Sequence, residues 1–339
     1  MNHSELERIA RGMVAPGKGI LAADESTGTI KKRFDAIAFE STEANRQLYR
    51  EMLLAAPGIN EAISGVIMYD ETLRQKTRAG VPFPQHLASL GIFPGIKVDQ
   101  GAKPLANFPN ETVTEGLDGL RERLVEYHGL GARFAKWRAV IDIGAGYPTR
   151  FCIEANAHAL ARYAALCQEQ GIVPIVEPEV LMDGAHSLET CEAVTDEVLC
   201  ETFRALAAHR VHLEGIVLKP NMVISGKKNA ARATPEQVAE ATVRCLRRWV
   251  SPAVPGIAFL SGGQSTTEAT LHLSLMNRQP LPWALTFSYG RALQDSALKA
   301  WGGKPANFEA GQREFMRRAR LNGLAAKGGY TADMESGAA

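Results

Sequence analysis

Eight short apolar runs of strand length recur along this chain, and between most of them lies a segment with helical periodicity. The runs cover residues 19–23, 63–69, 96–98, 134–143, 173–176, 215–218, 256–260 and 283–287. Such near-continuous apolar runs are what strands buried on both faces require, as in a parallel sheet. The intervening segments have legible ends. Ser41 can cap a helix that stops at Pro57-Gly58, and Leu117, Leu120, Leu124 and His128 form a stripe closing at Gly129. An alanine-rich stretch over 155–170 meets Gly171, and Thr234-Pro235-Glu236-Gln237 has the form of a capping box with proline at N1. A last helix is predicted over 307–326, and the Gly-, Ala- and Ser-rich tail 327–339 is expected to be mobile.

About eight strands alternating with helices in 339 residues, without a linker-like break, predict a single (β/α)8 TIM barrel domain over 1–326. A doubly wound open sheet shares the alternation. The barrel is preferred because nearly every run ends in polar or charged residues. They read Asp24-Glu25-Ser26, Asp70-Glu71, Lys97 with Asp99, Lys136 with Arg138, Glu177 with Glu179, Lys219, Ser261-Gly262-Gly263 and Ser288-Tyr289-Gly290-Arg291. In a barrel all of these meet on one face, whereas in an open sheet only those near the switch point would.

Composition excludes several classes of function. The net charge is +1, so neither a nucleic acid nor a membrane is expected as partner. No apolar run reaches the roughly 18 residues of a membrane span, and no signal peptide precedes Glu5. Five scattered cysteines without a CxxC pair suggest free thiols in a reducing compartment, so a cytoplasmic protein is expected. His209 and His212 alone among the eight histidines come close, without a carboxylate at ligand spacing, and Gly144-Ala145-Gly146 is not a dinucleotide fingerprint. Neither a metal nor a cofactor is expected.

The chemistry centres on Gly215-Ile-Val-Leu-Lys-Pro220, where proline stops the strand at about Lys219. This places an ammonium at the end of a buried strand. Such a lysine can snorkel to solvent or pair with a carboxylate. It can also be desolvated so that its pKa falls from about 10.4 and the neutral amine attacks a carbonyl. Phe134-Ala-Lys-Trp-Arg138 alternates, so Lys136 and Arg138 share one side, and a second ammonium near Lys219 would disfavour protonation of both. Glu177 and Glu179 supply carboxyl groups suited to the proton transfers of imine formation, and Asp24 is a second candidate base. The alternative is an internal layer of salt bridges. Ser261-Gly262-Gly263 after the seventh strand and Gly290-Arg291 after the eighth stand where barrel enzymes hold a phosphate. Thr29, Lys32, Arg33 and Arg46 form a separate basic group, fit for a second phosphate or a solvated helix end.

From about Ala15 to Tyr330 the chain resembles class I fructose-bisphosphate aldolases. The resemblance rests on the stretch Ala15–Gly28, on Gly95-Ile-Lys-Val-Asp99, Phe134-Ala-Lys-Trp-Arg138, Pro174-Ile-Val-Glu-Pro-Glu179 and Leu218-Lys-Pro-Asn-Met222, and on Leu260-Ser-Gly-Gly-Gln-Ser265 and Phe287-Ser-Tyr-Gly-Arg-Ala-Leu293. It implies that Lys219 captures the ketone of a phosphorylated sugar and that Glu177 is the main acid and base, with Glu179 and Lys136 tuning charge. It further implies that Asp24 takes the C4 hydroxyl proton, and that Ser261, Gly262, Gly263, Gly290 and Arg291 hold the 1-phosphate. Lys97 and Arg138 would act toward the other phosphate, with Arg33 and Arg46 lining the cleft, in a homotetramer. Two departures stand out. Animal-type members end in a tyrosine that folds over the site, whereas the last tyrosine here is Tyr330; either the tail does less or another group or water moves that proton. Thr29 stands where serine is common, with the hydroxyl kept. The competing readings are an aldolase acting on fructose 1-phosphate or sedoheptulose 1,7-bisphosphate, and a barrel kept as a scaffold without turnover.

Overall fold

The computed structural model of the protein describes residues 2–336. Its eight parallel strands are β1 (Gly19–Ala23), β2 (Ile63–Met68), β3 (Phe93–Lys97), β4 (Phe134–Ile141), β5 (Val173–Val180), β6 (Val217–Leu218), β7 (Gly256–Phe259) and β8 (Ala284–Tyr289). They neighbour one another in chain order and β8 pairs with β1, so the sheet is a closed barrel with helices between the strands. The expected (β/α)8 architecture is present, and the open-sheet alternative is excluded.

Alternation along β4 sorts its side chains as its sequence suggests. Trp137 leaves the barrel and stacks on Tyr163 of the helix Arg150–Glu169, with ring centroids 5.6 Å apart. Lys136 and Arg138 point the other way. The register then layers the charged residues, with Lys97 opposite Lys136 and Arg138 opposite Glu177. At Gly95 a Cβ would come within 2.2 Å of the Phe134 ring, so β3 leaves room there for the barrel's interior aromatic packing.

A helix that the strand-and-helix pattern did not include, His3–Met13, closes the barrel's amino end. Its Leu6, Ile9, Ala10 and Met13 are buried and pack with Ile20, Ile67, Val173, Val217 and Ala258 from the strands. These helix positions follow the i, i+3, i+4, i+7 spacing of an apolar stripe. One end of the barrel is thus filled with hydrocarbon, and the charged layer lies toward the other.

Other boundaries differ by local chemistry. Thr42, not Ser41, caps the helix Glu43–Leu54. β5 extends four residues beyond Val176, through Pro178. Past Val176 it has a ladder partner only in β4, and such an edge tolerates a proline. Asn221 Oδ1 accepts from the Val180 N–H there at 3.0 Å. An antiparallel hairpin, Ala102–Pro104 with Thr112–Thr114, follows β3 and was not expected. The predicted capping box at Thr234 is formed, and β6 ends before Lys219.

The tail expected to be loose from Lys327 is seated as far as Ser336. Tyr330 is buried, and Glu335 pairs with Arg318 of the helix Phe308–Ala325. Residues 337–339 lie outside the described residues. Among the described residues no helix is long and apolar enough to cross a membrane.

Candidate active site

A cavity of about 1110 Å³ opens at the carboxyl ends of the strands. It is lined from every strand or the loop just beyond it, including Asp24 and Glu25, Tyr69 and Asp70, Lys97, Lys136, Glu177, Lys219, Ser261 and Gly290.

Lys219 is 3% exposed at the floor of this cavity, and its Nζ lies 3.2 Å from Glu177 Oε1. Glu177 Oε2 lies 3.4 Å from Lys136 Nζ, which in turn is 2.7 Å from Asp24 Oδ2. The chain of charges therefore runs Lys219, Glu177, Lys136, Asp24. Glu177 Oε2 is buried and accepts no well-formed hydrogen bond among the described residues, so one carboxylate oxygen has spare capacity. Burial alone would push the Lys136 ammonium down, but the carboxylates of Asp24, Glu177 and Asp99 outweigh it and raise its pKa above the usual lysine range. The expectation that the two ammoniums disfavour each other's protonation therefore does not describe Lys136. Burial likewise works to raise the Asp24 pKa, yet Lys136, Lys219 and Lys97 hold that carboxyl far below its ordinary value. Asp24 is an anion fixed in place by Lys136.

A second buried charge cluster braces β1. Glu25 is 2.6 Å from Arg33 and 2.5 Å from Arg50, and the two guanidiniums keep its carboxyl ionised against the effect of burial. Gln294 joins it, donating to Glu25 Oε1 at 3.0 Å and to the Ala22 carbonyl at 2.6 Å. Arg33 lines the cavity from this brace. Lys97 bonds both the carboxylate and the backbone carbonyl of Asp99, each at 2.7 Å, and Arg138 pairs with Glu179.

The loop Ser261–Ser265 contributes Ser261 and Gly262 to this cavity and Gly263 to an adjoining one of about 660 Å³. Gly263 sits at φ +78°, a left-handed conformation in which a side chain would be strained and would press on Met182. Ser265 caps the helix Thr266–Met276. Across the mouth, the helix Arg291–Trp301 starts at Gly290 with no side-chain cap, so its first amides are free to bind an anion. Arg291 lines both cavities.

The barrel thus brings together Asp24, Lys97, Lys136, Arg138, Glu177, Glu179, Lys219, Ser261, Gly262, Gly290, Arg291 and Arg33. Gly263 stands at the boundary of the adjoining cavity. Arg46 does not line either space: Glu71 holds it by two bonds of 2.8 and 2.6 Å, and the Ser41 carbonyl by a third at 2.7 Å. Sequence reasoning gave no part to Arg50, which the structure buries to 2% exposure against Glu25. Among the described residues one cluster with metal-ligand spacing, Glu192, Asp196 and Cys245, lies on the helices Leu188–Ala208 and Pro235–Trp249, outside the cavity. Its carboxylates are already tied to Arg244 and Arg248.

A closed parallel barrel with a buried lysine and glutamate in contact at its open end, beside glycine-bearing loops, has the active face of a (β/α)8 barrel enzyme. The sequence model of the family described as fructose-bisphosphate aldolase class-I matches residues 5–339. A probable fructose-bisphosphate aldolase class 1 of Xanthomonas campestris pv. campestris is 58% identical over 97% of this chain and 99% of its own length. The non-muscle type fructose-bisphosphate aldolase of Lethenteron camtschaticum is 54% identical over 99% of this chain and 93% of its own. A solved structure of fructose-bisphosphate aldolase from Plasmodium falciparum, in complex with TRAP and a small-molecule inhibitor, superposes with a TM-score of 0.96 at 51% identity. It covers 97% of this chain and 96% of that one. The chain belongs to the class I fructose-bisphosphate aldolase family, whose chemistry is a metal-independent Schiff-base lyase reaction.

Proposed function

We propose that this chain reversibly cleaves fructose 1,6-bisphosphate to dihydroxyacetone phosphate and glyceraldehyde 3-phosphate through an imine on Lys219. The observation that supports this most is the 3.2 Å contact between the Lys219 nitrogen and Glu177, both buried in the cavity. Glu177 is placed to take the ammonium proton, which leaves a neutral amine to attack the C2 carbonyl. The same carboxyl then returns the proton to the carbinolamine hydroxyl, which departs as water. The resulting protonated imine is the electron sink. Asp24 accepts the C4 hydroxyl proton, the C3–C4 bond breaks, and its electron pair runs into the imine to give an enamine and the free aldehyde. Protonation of the enamine at C3 and hydrolysis release the ketone and restore Lys219.

Lys136 holds both carboxylates in place, and Glu179 orients Arg138 toward the glyceraldehyde-side phosphate, with Lys97 and Arg33 beside it. Ser261, Gly262, Gly263, Gly290 and Arg291 hold the 1-phosphate at two loops and a helix start. The seating of Arg46 on Glu71 argues for a supporting rather than a ligand role. Four of the free cysteines are buried and none is bridged, in keeping with a cytoplasmic protein, and the family likeness favours a homotetramer. Fructose 1-phosphate and sedoheptulose 1,7-bisphosphate are the alternative substrates to assay alongside.

The test is to incubate the protein with dihydroxyacetone phosphate, reduce with borohydride and locate the adduct by peptide mass spectrometry. An adduct on Lys219, absent from Lys219→Ala, is expected. An adduct on Lys136 or Lys97, or none, sinks the assignment.

A further inference from the structure

The loop Ser261–Ser265 runs into the helix Thr266–Met276, and the underside of that helix's first turns rests on a buried cation. Arg318, on the helix Phe308–Ala325, is 3% exposed. Its Nη2 donates to the Thr270 hydroxyl at 2.8 Å and reaches the Thr266 carbonyl at 3.5 Å. Its Nη1 lies 2.6 and 2.7 Å from the two oxygens of Glu335, the carboxylate that neutralises it among the described residues. Glu335 is held in turn by the Tyr330 hydroxyl at 2.7 Å and by Arg317. Tyr330 is fastened to the same helix, because its backbone N–H and carbonyl both bond the Ser274 hydroxyl, at 3.1 and 2.9 Å. The segment 330–335 therefore acts as a strap. One end is pinned at Ser274, and the other supplies the negative charge for a guanidinium wedged under Thr266 and Thr270.

We propose that Glu335 and Arg318 are positioning residues for the phosphate-binding loop, so that the carboxyl-terminal segment sets affinity for the 1-phosphate without touching it. This rests on the reading of Ser261–Gly263 as the 1-phosphate loop. A buried guanidinium that loses its carboxylate draws in water or seeks another anion, and the nearest movable groups are the Thr266 carbonyl and the first turn it belongs to. Movement there displaces Ser265 and the glycines before it. Among the described residues Arg318 Nε has no partner, so the buried guanidinium is already one bond short and depends on Glu335 for its neutralisation.

The experiment compares Glu335→Gln, Glu335→Asp and Ser261→Ala in the full chain. It measures kcat, KM for a ketose bisphosphate, inhibition by inorganic phosphate and the thermal midpoint. Glu335→Gln is expected to raise KM and the phosphate inhibition constant together, about tenfold, with kcat within about twofold of the parent, the loss expected for one charge-assisted hydrogen bond. Glu335→Asp, which keeps the charge, is expected to recover most of the affinity. Ser261→Ala tests the underlying reading separately: if it leaves KM and phosphate inhibition unchanged, the loop is not the phosphate site and the proposal falls with it. If Ser261→Ala weakens phosphate but Glu335→Gln lowers only the thermal midpoint, the strap is structural and the positioning role is overturned.

Discussion

The Glu177 carboxylate and the Lys219 ammonium touch at 3.2 Å with each side chain only 4% exposed. In the proposed mechanism this direct contact makes the carboxyl the proton carrier between them. Replacing Glu177 by Gln keeps shape and removes the acid and base. The expected result is a kcat lower by about 10²- to 10⁴-fold with KM little changed. Borohydride trapping of the imine should slow in proportion; an unchanged trapping rate would remove Glu177 from imine formation.

Lys136 stands between two carboxylates, 2.7 Å from Asp24 and 3.4 Å from Glu177. Burial works to raise the Asp24 pKa, but Lys136, Lys219 and Lys97 hold it below the ordinary value of 3.8. A depressed carboxyl contributes stability that is present above about pH 4 and is lost as pH falls through the folded value. Lys136→Met should remove that contribution and leave buried anions unpaired, lowering stability at neutral pH by about 3 to 5 kcal/mol. The deficit should shrink as pH falls, because the buried carboxyls left unpaired can then take up protons. Denaturant titrations at several pH values check this, and activity should fall with stability.

His272 is buried in the helix Thr266–Met276, with Nδ1 2.6 Å from Gln264 Oε1. Burial pushes its pKa from 6.5 down to about 4, with Glu268 opposing and Arg232 assisting. Between those two values the unfolded chain binds a proton that the folded chain refuses, so stability falls as pH drops from 6.5 toward 4 and is unaffected above. The loss across that window is about 3 kcal/mol. His272→Asn keeps a donor for Gln264 and should flatten the slope there; an unaltered slope would show that other groups govern it.

Arg291 and Arg46 should separate cleanly. Arg291 lines both cavities at the start of its helix, so Arg291→Ala should raise KM for a bisphosphate by about 10- to 100-fold, as for a lost bond to a charged group. Arg46 is held by Glu71 outside them, so Arg46→Ala should leave KM within about twofold and lower stability by about 1 kcal/mol. A large KM effect at Arg46 would place it in the substrate path.

Chelation distinguishes amine from metal chemistry directly. Excess EDTA should leave the cleavage rate unchanged, since in the proposed mechanism Lys219 and Glu177 supply both electron sink and proton transfer. Loss of activity, restored by a divalent ion, would contradict the imine mechanism.

Much of this site is legible in the chain because a barrel converts position along a strand into position in space. Lys219 ends an apolar run and precedes Pro220, and a residue so placed must stand at the carboxyl rim once the strand is buried on both faces. The alternation of Lys136, Trp137 and Arg138 likewise assigns two cations to the interior. The helix His3–Met13 was equally visible as an apolar stripe, but it belongs to no strand alternation and so escaped the pattern that revealed the rest.

Periodicity, glycine and proline therefore determined the barrel and which residues crowd its open end, because those signals are local and the closure repeats them eight times. Only the tertiary structure decided which charges pair. Glu177 bridges Lys219 and Lys136, Asp24 is pinned by Lys136, Arg46 is drawn away by Glu71, and Glu335 returns to neutralise Arg318. Each of these choices is made between side chains far apart in sequence. Coulomb attraction at a few ångströms and the cost of burying an unpaired charge select the partner, and neither distance nor burial is written in the local chain.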